Sequence, residues 1–292
     1  MRLLFIGSTL LGRACLEALM KIESVSVSGI LTAPREFPIS YAPNGVTNFL
    51  HCNFSDSAEQ LRCPLILLQS NMTAPELFNT IESVKPDCLF VVGWHHMIPD
   101  KWLDKWPTFG IHASLLPQYA GGAPLVWAMI EGRRRVGVTL FQIDKGIDNG
   151  PIVAQERIRV SRRDDISTLL RKVEAVSVTL SVDEIPKILS PLSPRKLQRA
   201  SRREVYPQRK PEDGLITDSM GITEIRNFVR AQTRPYPGAF VMDEEDRLVI
   251  WNVGRTSFSW KTRRSLFERS GNLYLGRGHL AIKLTSVSRV NN

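Results

Sequence analysis

The sequence has few of the features that would place it in a specialised structural class. It contains only four cysteines, and none of them forms a Cys-x-x-Cys pair or has the spacing of metal ligands. A disulfide-stapled secreted domain and a zinc module are therefore disfavoured, and we expect free thiols in a cytoplasmic protein. No apolar run reaches the roughly 18 residues of a membrane-spanning helix, so no membrane span is predicted.

The turn after the first apolar stretch lacks both common nucleotide-binding fingerprints. In GSTLLG (7–12), Thr9 stands where G-x-G-x-x-G has its second glycine, and no Gly-Lys-Ser/Thr follows. Gly, Ser and Thr also interrupt what would be the apolar core of a signal peptide, which favours a strand followed by a helix. Such a turn can still present backbone N–H groups to a polar ligand, so Gly7 and Ser8 are candidate substrate contacts.

Short apolar runs alternate with helical patterns over the first 180 or so residues. Strands are predicted at 2–7, 25–32, 64–68, 88–94, 136–143 and 151–160. Helices are predicted at 11–20, 74–84, 123–132 and 166–185. Nearly continuous apolar strands separated by helices predict an α/β fold with a mostly parallel, Rossmann-like sheet covered on both faces.

The composition changes at 186–211, where five prolines accompany a basic run. We therefore predict an α/β domain at 1–188, a basic, proline-containing linker at 189–205 and a smaller domain at 206–292. The last segment combines one helix with short alternating runs, which is typical of a β-rich, OB-like domain.

The net charge of +9 is concentrated rather than spread evenly. Residues 195–210 hold seven basic residues and one acid, and smaller clusters lie at 133–135 and 261–264. Two interpretations stay open from charge alone. The basic segments are solvated surface, or they attract phosphate in a nucleic acid, a nucleotide sugar or a folate tail.

Three loops follow predicted strands and combine Gly or Pro with His or Asp: 93–99, 112–117 and 144–152. Ligands of open parallel sheets bind beyond the carboxyl ends of the strands, so the three loops form a candidate active site. His112 by itself is equally consistent with a buried histidine at the end of a strand.

The stretch IHASLLPQYAGGAPLVWAMIEGRRRVGVTLFQIDKGIDNGPIVAQE closely resembles the signature region of the folate-dependent formyltransferases. Three shared features are His112 before Ser-Leu-Leu-Pro, then Gly-Val-Thr, and Asp148 at the family's distance from the histidine. YPQRKPEDGLI (206–216) and VRAQTRPYPGAF (229–240) resemble the C-terminal domain of two-domain members. The resemblance is greatest to methionyl-tRNA-formyltransferase-like proteins, and within them to the sugar-nucleotide N-formyltransferases.

This resemblance implies that a substrate amine attacks the formyl carbon of 10-formyltetrahydrofolate and gives a tetrahedral oxyanion. His112 would donate to that oxyanion or relay a proton, and Asp148 would orient the imidazole or hold a water. No metal is implied, and a homodimer is expected. The folate would contact two loops, mainly through backbone atoms: Val92, Gly93, Trp94, His95, His96, Met97 and Ile98, and Ile143, Asp144, Lys145 and Gly146.

One position departs from the family pattern, since Gly110 stands where the family has asparagine. That asparagine would supply an amide donor to the oxyanion. Three interpretations follow: the chain is a weakened or non-catalytic folate or nucleotide binder, another donor such as His95, His96 or Ser114 takes its place, or the glycine makes room for a bulkier amine. We favour the last two.

The amine is predicted from the segment 32–54, where the tRNA-specific members carry a basic insertion. Arg35 is the only Lys or Arg there, which makes the segment a poor partner for an acceptor stem. We therefore favour a nucleotide-linked amino sugar, with methionyl-tRNA as the alternative. Further candidate substrate contacts are Tyr41, Asn44, Ser114 and Arg209, the last through a diphosphate.

Overall fold

A computed structural model of the chain describes residues 1–39, 42–69, 71–259 and 266–290. The helices are α1 (Leu10–Leu19), α2 (Ser55–Leu61), α3 (Pro75–Ser83), α4 (Asp100–Leu103), α5 (Pro124–Ile130), α6 (Ile166–Glu184) and α7 (Ile222–Gln232). The first ten strands are β1 (Arg2–Ile6), β2 (Ser26–Thr32), β3 (Glu36–Ile39), β4 (Ala42–Thr47), β5 (Leu65–Leu67), β6 (Cys88–Val92), β7 (Thr108–His112), β8 (Ala120–Gly121), β9 (Arg135–Gln142) and β10 (Ile152–Arg159). The remaining strands are β11 (Val205–Tyr206), β12 (Ala239–Asp243), β13 (Asp246–Ser259), β14 (Leu266–Arg269), β15 (Asn272–Arg277) and β16 (Leu280–Val290).

The large sheet has seven strands in the order β10-β9-β7-β6-β1-β2-β5. β1 pairs in parallel with β2 and β6, and β6 pairs in parallel with β7. β9 runs antiparallel to β7. The prediction of a mostly parallel, Rossmann-like sheet is confirmed, and apolar clusters on its two faces include Phe5 and Phe90 in one and Leu4 and Leu89 in the other.

β7, next to the central strand β6, was not given a range among the strands predicted from apolar runs, although the loop 112–117 was expected to follow a strand. It is short, and Gly110 and His112 interrupt its apolar character, so the local pattern is weak. Pairing on both sides stabilises it instead: Gly110 lies opposite Val91 of β6 and Phe141 of β9. His112 is the last residue of the strand, which places its side chain at the carboxyl end of β7.

The segment 32–54, on whose low charge the predicted acceptor depends, contains a β-hairpin. β3 and β4 pair antiparallel, with Glu36 opposite Thr47 and Phe37 opposite Val46. The candidate residue Asn44 is exposed on β4. Tyr41 lies outside the described residues.

The chain divides into two compact units. The first comprises residues 1–120, 137–158 and 172–205, and the second comprises 121–136, 159–171 and 206–292. The second contains a five-stranded antiparallel sheet in the order β12-β13-β16-β15-β14, with α7 packed over it through Ile225 and Val229. The predicted β-rich C-terminal domain is therefore confirmed, while the domain boundaries stay predictions. Across the described segments, no helix is both long and apolar enough to cross a membrane.

Candidate active site

The turns after β1 and β6 pack directly against each other. Thr9 caps α1 by accepting from the Gly12 N–H at 3.2 Å. Gly93 has φ +65°, and a Cβ there would collide with Thr9 Oγ1, so only glycine fits this crossing. Ser8 is fully buried, and its N–H and hydroxyl both donate to Gly93 O, each at 3.3 Å. Asn48 Nδ2 donates to Ser8 O at 3.1 Å.

Because of this packing, hydrogen-bonding groups of the turn after β1 are already engaged within the protein. The Ser8 hydroxyl is engaged by Gly93 and also accepts from Asn48 Nδ2 at 3.2 Å. The proposed substrate contacts of Gly7 and Ser8 stay predictions, and Ser8 contributes first to the fixed geometry of the β1 and β6 ends.

Beyond β6, a group of aromatic rings forms the loop 94–96. Phe37 of the hairpin lies 5.5 Å from the ring of His95 and 4.9 Å from that of His96, measured between centroids. Trp94 lies 5.4 Å from His96. The rings pack against one another in tilted pairs, at 58°, 42° and 50° between ring planes, so each ring is supported by a neighbour.

Three polar atoms of this loop are buried without a hydrogen-bond partner: Trp94 Nε1, His95 Nδ1 and His96 Nε2. Burial lowers the pKa of His95 to about 4, with a smaller contribution from His96, and burial also lowers the pKa of His96. Both imidazoles are therefore neutral near pH 7. Buried polar atoms without partners are uncommon in native proteins, so three in one loop mark a place where water or a ligand completes the hydrogen bonding.

Two apolar side chains, one next to this loop in sequence and one next to Asp148, are exposed. Met97 is 59% exposed and Ile147 42% exposed, although both are apolar. Ile98, by contrast, is buried in the core below. A heterocycle with hydrogen-bonding edges would satisfy the unpartnered ring nitrogens and cover exposed apolar surface, so the residues present fit a pterin.

The acid lies in a loop with an unusual backbone. Asp148 has φ +45°, a left-handed conformation that costs free energy in a residue other than glycine. Asn149 Nδ2 donates to Lys145 O at 2.8 Å and closes the loop, while Lys145 pairs at the surface with Asp104 at 3.0 Å. Asp144, Lys145 and Gly146 are exposed.

The sequence predicted His112 and Asp148 as a catalytic pair, and the structure places their side chains next to each other. His112 Nδ1 lies 3.5 Å from Asp148 Oδ2, with side chains 11% and 23% exposed. His112 Nε2 lies 2.8 Å from the carbonyl oxygen of Tyr119. A carbonyl only accepts, so Nε2 carries a proton.

The protonation pattern follows from these two contacts. With Nε2 protonated, a neutral ring would direct its Nδ1 lone pair at the Asp148 carboxylate, which is repulsive. A proton on Nδ1 would instead be donated to that carboxylate. Because Nε2 is held by Tyr119 O, Nδ1 is the ring nitrogen that can exchange a proton at the site.

A buried network fixes the chain after His112. Ser114 Oγ donates to Gln118 O at 2.8 Å, and Thr139 Oγ1 donates to Ser114 O at 2.7 Å. Gln155 Nε2 donates to Thr139 Oγ1 at 2.8 Å. Ser114 is only 3% exposed, so its proton is used within this turn. Its predicted role as a substrate contact or substitute donor stays a prediction, and this geometry does not favour it.

The space beside Gly110 is occupied by Ile143. A Cβ built at 110 would lie 2.8 Å from Ile143 Cδ1 and 3.2 Å from Cγ1. The place where an asparagine side chain would begin is thus filled by an aliphatic side chain from the second predicted folate loop. The idea that the glycine opens room for a bulkier amine loses support, because Ile143 already takes that room.

Two arginines of the basic run make contacts within their own units. Arg195 donates to Gln142 Oε1 at 3.2 Å and to Ile188 O at 2.6 Å, and burial lowers its pKa. Arg209 belongs to the second unit, where its Nη2 donates to Asp213 O and Gln232 Oε1 and its guanidinium lies 4.7 Å from the Trp127 ring.

These arginines therefore have structural partners before any ligand is considered. The role of Arg209 in holding a diphosphate stays a prediction. The basic cluster at 261–264 lies outside the described residues. Among the residues that the structure describes, no group of three or more His, Cys, Asp or Glu side chains could hold a metal ion.

Solved structures resemble this chain over nearly its whole length. A methionyl-tRNA formyltransferase from Clostridium thermocellum is 15% identical with a TM-score of 0.58, each chain being covered by 100%. An N-formyltransferase from Helicobacter canadensis, in complex with folinic acid and dTDP-3-aminofucose, is 16% identical with a TM-score of 0.67, covering 97% of this chain and 98% of that one.

HypX from Aquifex aeolicus, in complex with tetrahydrofolic acid, is 17% identical with a TM-score of 0.64. The match covers 98% of this chain but only 44% of HypX. At such identities these likenesses show the fold alone.

Family models decide the assignment. Residues 2–185 match the formyl transferase model, and residues 209–283 match the model of the formyl transferase C-terminal domain. The first match alone covers more than half of the chain and contains both His112 and Asp148. The chain therefore belongs to the formyl transferase family, as the signature region predicted.

Proposed function

We propose that this protein transfers the formyl group of 10-formyltetrahydrofolate to the primary amine of a nucleotide-linked amino sugar. The observation that carries the proposal is the His112–Asp148 pair, 3.5 Å apart at the carboxyl end of β7 in a chain of the formyl transferase family. An imidazole beside a carboxylate is suited to acyl transfer, in which a proton moves and negative charge develops on a carbonyl oxygen.

The loops 92–98 and 143–146 would hold the donor. The unpartnered Trp94 Nε1, His95 Nδ1 and His96 Nε2 supply hydrogen-bonding capacity for its heterocycle. The exposed Met97 would cover its apolar parts. When bound, the donor supplies a formyl group on nitrogen N10, which accepts a proton as the bond to the formyl carbon breaks.

His112 and Asp148 would act through charge and proton exchange. The amine nitrogen forms the new bond to the formyl carbon with its lone pair and then loses a proton. His112, held by Tyr119 O through Nε2, would donate from Nδ1 to the developing oxyanion or relay a proton through Nδ1. The His112 Nδ1 proton can exchange with Asp148, directly or through water, and this allows the amine proton to reach the folate nitrogen.

Because residue 110 is glycine and not asparagine, the hydrogen bonds to the oxyanion must come from other donors. The Ser114 hydroxyl donates to Gln118 O, and Ile143 fills the space beside Gly110. In this proposal the main donor is therefore His112 through Nδ1, and His95 and His96 supply neutral donors through their unpartnered nitrogens.

The charge of the hairpin segment supports an amino-sugar acceptor. Arg35 is the only Lys or Arg in residues 32–54, and phosphate-rich acceptor stems need several cations for affinity. A structurally similar N-formyltransferase was solved with dTDP-3-aminofucose. The product would serve glycosyl transfer in surface-polysaccharide assembly. The four free cysteines favour a cytoplasmic location, and the resemblance implies a homodimer.

A turnover assay by mass spectrometry tests the proposal. Purified protein receives 10-formyltetrahydrofolate with a panel of UDP-, dTDP-, GDP- and CMP-linked amino sugars, and with charged initiator tRNA in parallel. We expect the mass of one nucleotide sugar to rise by one formyl group. Formylation of the tRNA alone would replace the amino-sugar proposal, and tight donor binding without transfer to any amine would favour a non-catalytic binder.

A further inference from the structure

The segment 196–204, predicted as part of a linker, contacts the loop that carries the acid. We call this segment the strap. Gln198 Nε2 donates to Asp148 O at 2.8 Å and to Gly150 O at 2.7 Å. The Gln198 amide thus donates to the carbonyl oxygens of the two residues that flank Asn149. The reverse amide orientation would set Oε1 against two carbonyl oxygens, so the donor role is fixed.

Two further strap contacts hold the same loop at its ends. Arg203 donates through Nη2 to Ile147 O. Lys196 and Ile152 exchange two backbone hydrogen bonds, each at 2.8 Å. Three successive parts of the strap therefore fix the backbone just before, at and just after Asp148.

The backbone of Asp148 needs such support. At φ +45° a residue with a side chain lies in a sparsely populated conformation, which persists only where surrounding contacts hold it. If the backbone of Asp148 relaxed to an ordinary conformation, its carboxylate would leave the position 3.5 Å from His112 Nδ1. The contacts of Gln198 thus bear on the geometry of the pair.

The strap also supports the histidine. Glu204 N–H donates to Pro117 O at 3.2 Å, and Glu204 O accepts from the Ala120 N–H at 2.9 Å. These bonds flank Tyr119, whose carbonyl accepts from His112 Nε2 at 2.8 Å. Tyr119 is itself left-handed, with φ +55°. One segment therefore stabilises the strained residues on both sides of the acid–imidazole pair.

We infer that the strap is part of the active-site scaffold and that Gln198 is a positioning residue that acts through Asp148. This inference rests on the proposed function of the pair, but the contacts do not depend on which amine is formylated. The inference requires a side chain at 198 that donates two hydrogen bonds. A side chain of the same shape that cannot donate should not replace Gln198.

The test compares Gln198→Ala and Gln198→Glu with the matched control Leu197→Ala, whose side chain is 77% exposed on the same segment. Kinetics with the accepted amine and hydrogen exchange of residues 144–152 are measured for each. We expect both Gln198 variants to lose about tenfold or more in kcat with little change in KM, and exchange in 144–152 to quicken. Leu197→Ala should match wild type in both.

Two comparisons separate positioning from packing. Glutamate keeps the shape of glutamine but offers a carboxylate to two carbonyl oxygens, so a packing role predicts that Gln198→Glu behaves as wild type, and that result would overturn the inference. In an Asp148→Asn background, Gln198→Ala should cause no further loss in rate. A full additional loss would show that Gln198 acts elsewhere.

The exchange measurement keeps this test apart from the proposed function. If wild type formylates no amine, quicker exchange in 144–152 of Gln198→Ala still supports the strap while the function fails. Unchanged exchange together with unchanged kcat in an active enzyme overturns the strap while the function stands.

Discussion

Replacing Gly110 by asparagine would restore the side chain that the family carries, yet we expect it to damage this protein. Gly110 lies within β7, buried between Val91 and Phe141 in the sheet, so its side-chain direction is set by the strand. A Cβ there would lie 2.8 Å from Ile143 Cδ1, and the amide beyond it would need the whole position of the Ile143 side chain.

The magnitude follows from two costs. Overpacking a buried site costs about 1–3 kcal/mol, and burying an amide without partners costs about 1–3 kcal/mol more. Alanine at 110 would bury no polar group. In a strand, alanine is more stabilising than glycine by about 0.5–1 kcal/mol, and this gain offsets the contact of its Cβ with the flexible end of the Ile143 side chain. We expect Gly110→Asn to lose about 2 kcal/mol or more, and Gly110→Ala to stay within about 1 kcal/mol of wild type.

The assay is a double-mutant cycle with Ile143→Ala, read by thermal melting and by turnover. Gly110→Asn should melt several degrees lower and turn over about tenfold or more slowly, because a displaced Ile143 disturbs the predicted folate loop. In the Ile143→Ala background the asparagine has room, so the two changes together should cost less than their sum by about 1 kcal/mol. Gly110→Ala is the matched control.

One result would refute this reasoning. If Gly110→Asn alone raised turnover about a hundredfold without lowering the melting temperature, Ile143 would not occupy the amide position. The site would then simply lack a donor that it can accommodate.

Two further predictions concern His95 and Arg209. Folding lowers the pKa of His95 from 6.5 to about 4, so this histidine binds a proton more readily in the unfolded chain than in the folded one. As pH falls from 6.5 to about 4, the free energy of unfolding should therefore decrease by about 3 kcal/mol. His95→Asn should lose that part of the pH dependence in urea titrations, and an unchanged slope would contradict the burial of the ring. Arg209→Lys keeps the charge but not both bonds to Asp213 O and Gln232 Oε1, so it should lower the melting temperature without raising KM. A raised KM for the nucleotide sugar at unchanged stability would instead assign Arg209 to the diphosphate.

Local patterns were sufficient for most of the fold. The apolar runs at 2–7, 25–32 and 88–94 each contain a strand of the large sheet, since buried parallel strands are apolar on both faces. β7 was missed because its stability comes from neighbours on both sides rather than from its own residues. The antiparallel direction of β9 is likewise decided by pairing and not by composition.

The active site, like the fold, could be predicted from the sequence only in part. Motif spacing predicted His112 and Asp148, and the fold places them 3.5 Å apart. The contacts of Gln198 with Asp148 and of Ile143 with the space beside Gly110 join positions far apart in sequence, and no local pattern encodes them. The charge of residues 195–210 made their arginines the candidate ligand contacts, whereas it is the neutral Gln198 that donates to the backbone of Asp148.

Side-by-side turnover of wild type, His112→Asn and Asp148→Asn with the accepted amino sugar tests the central claim most directly. We expect each variant to lose about a hundredfold or more in kcat while still binding the donor, because the imidazole that relays the proton or the carboxylate that orients it is removed. If either variant retained more than a few per cent of the wild-type rate, the pair would not be the catalytic centre.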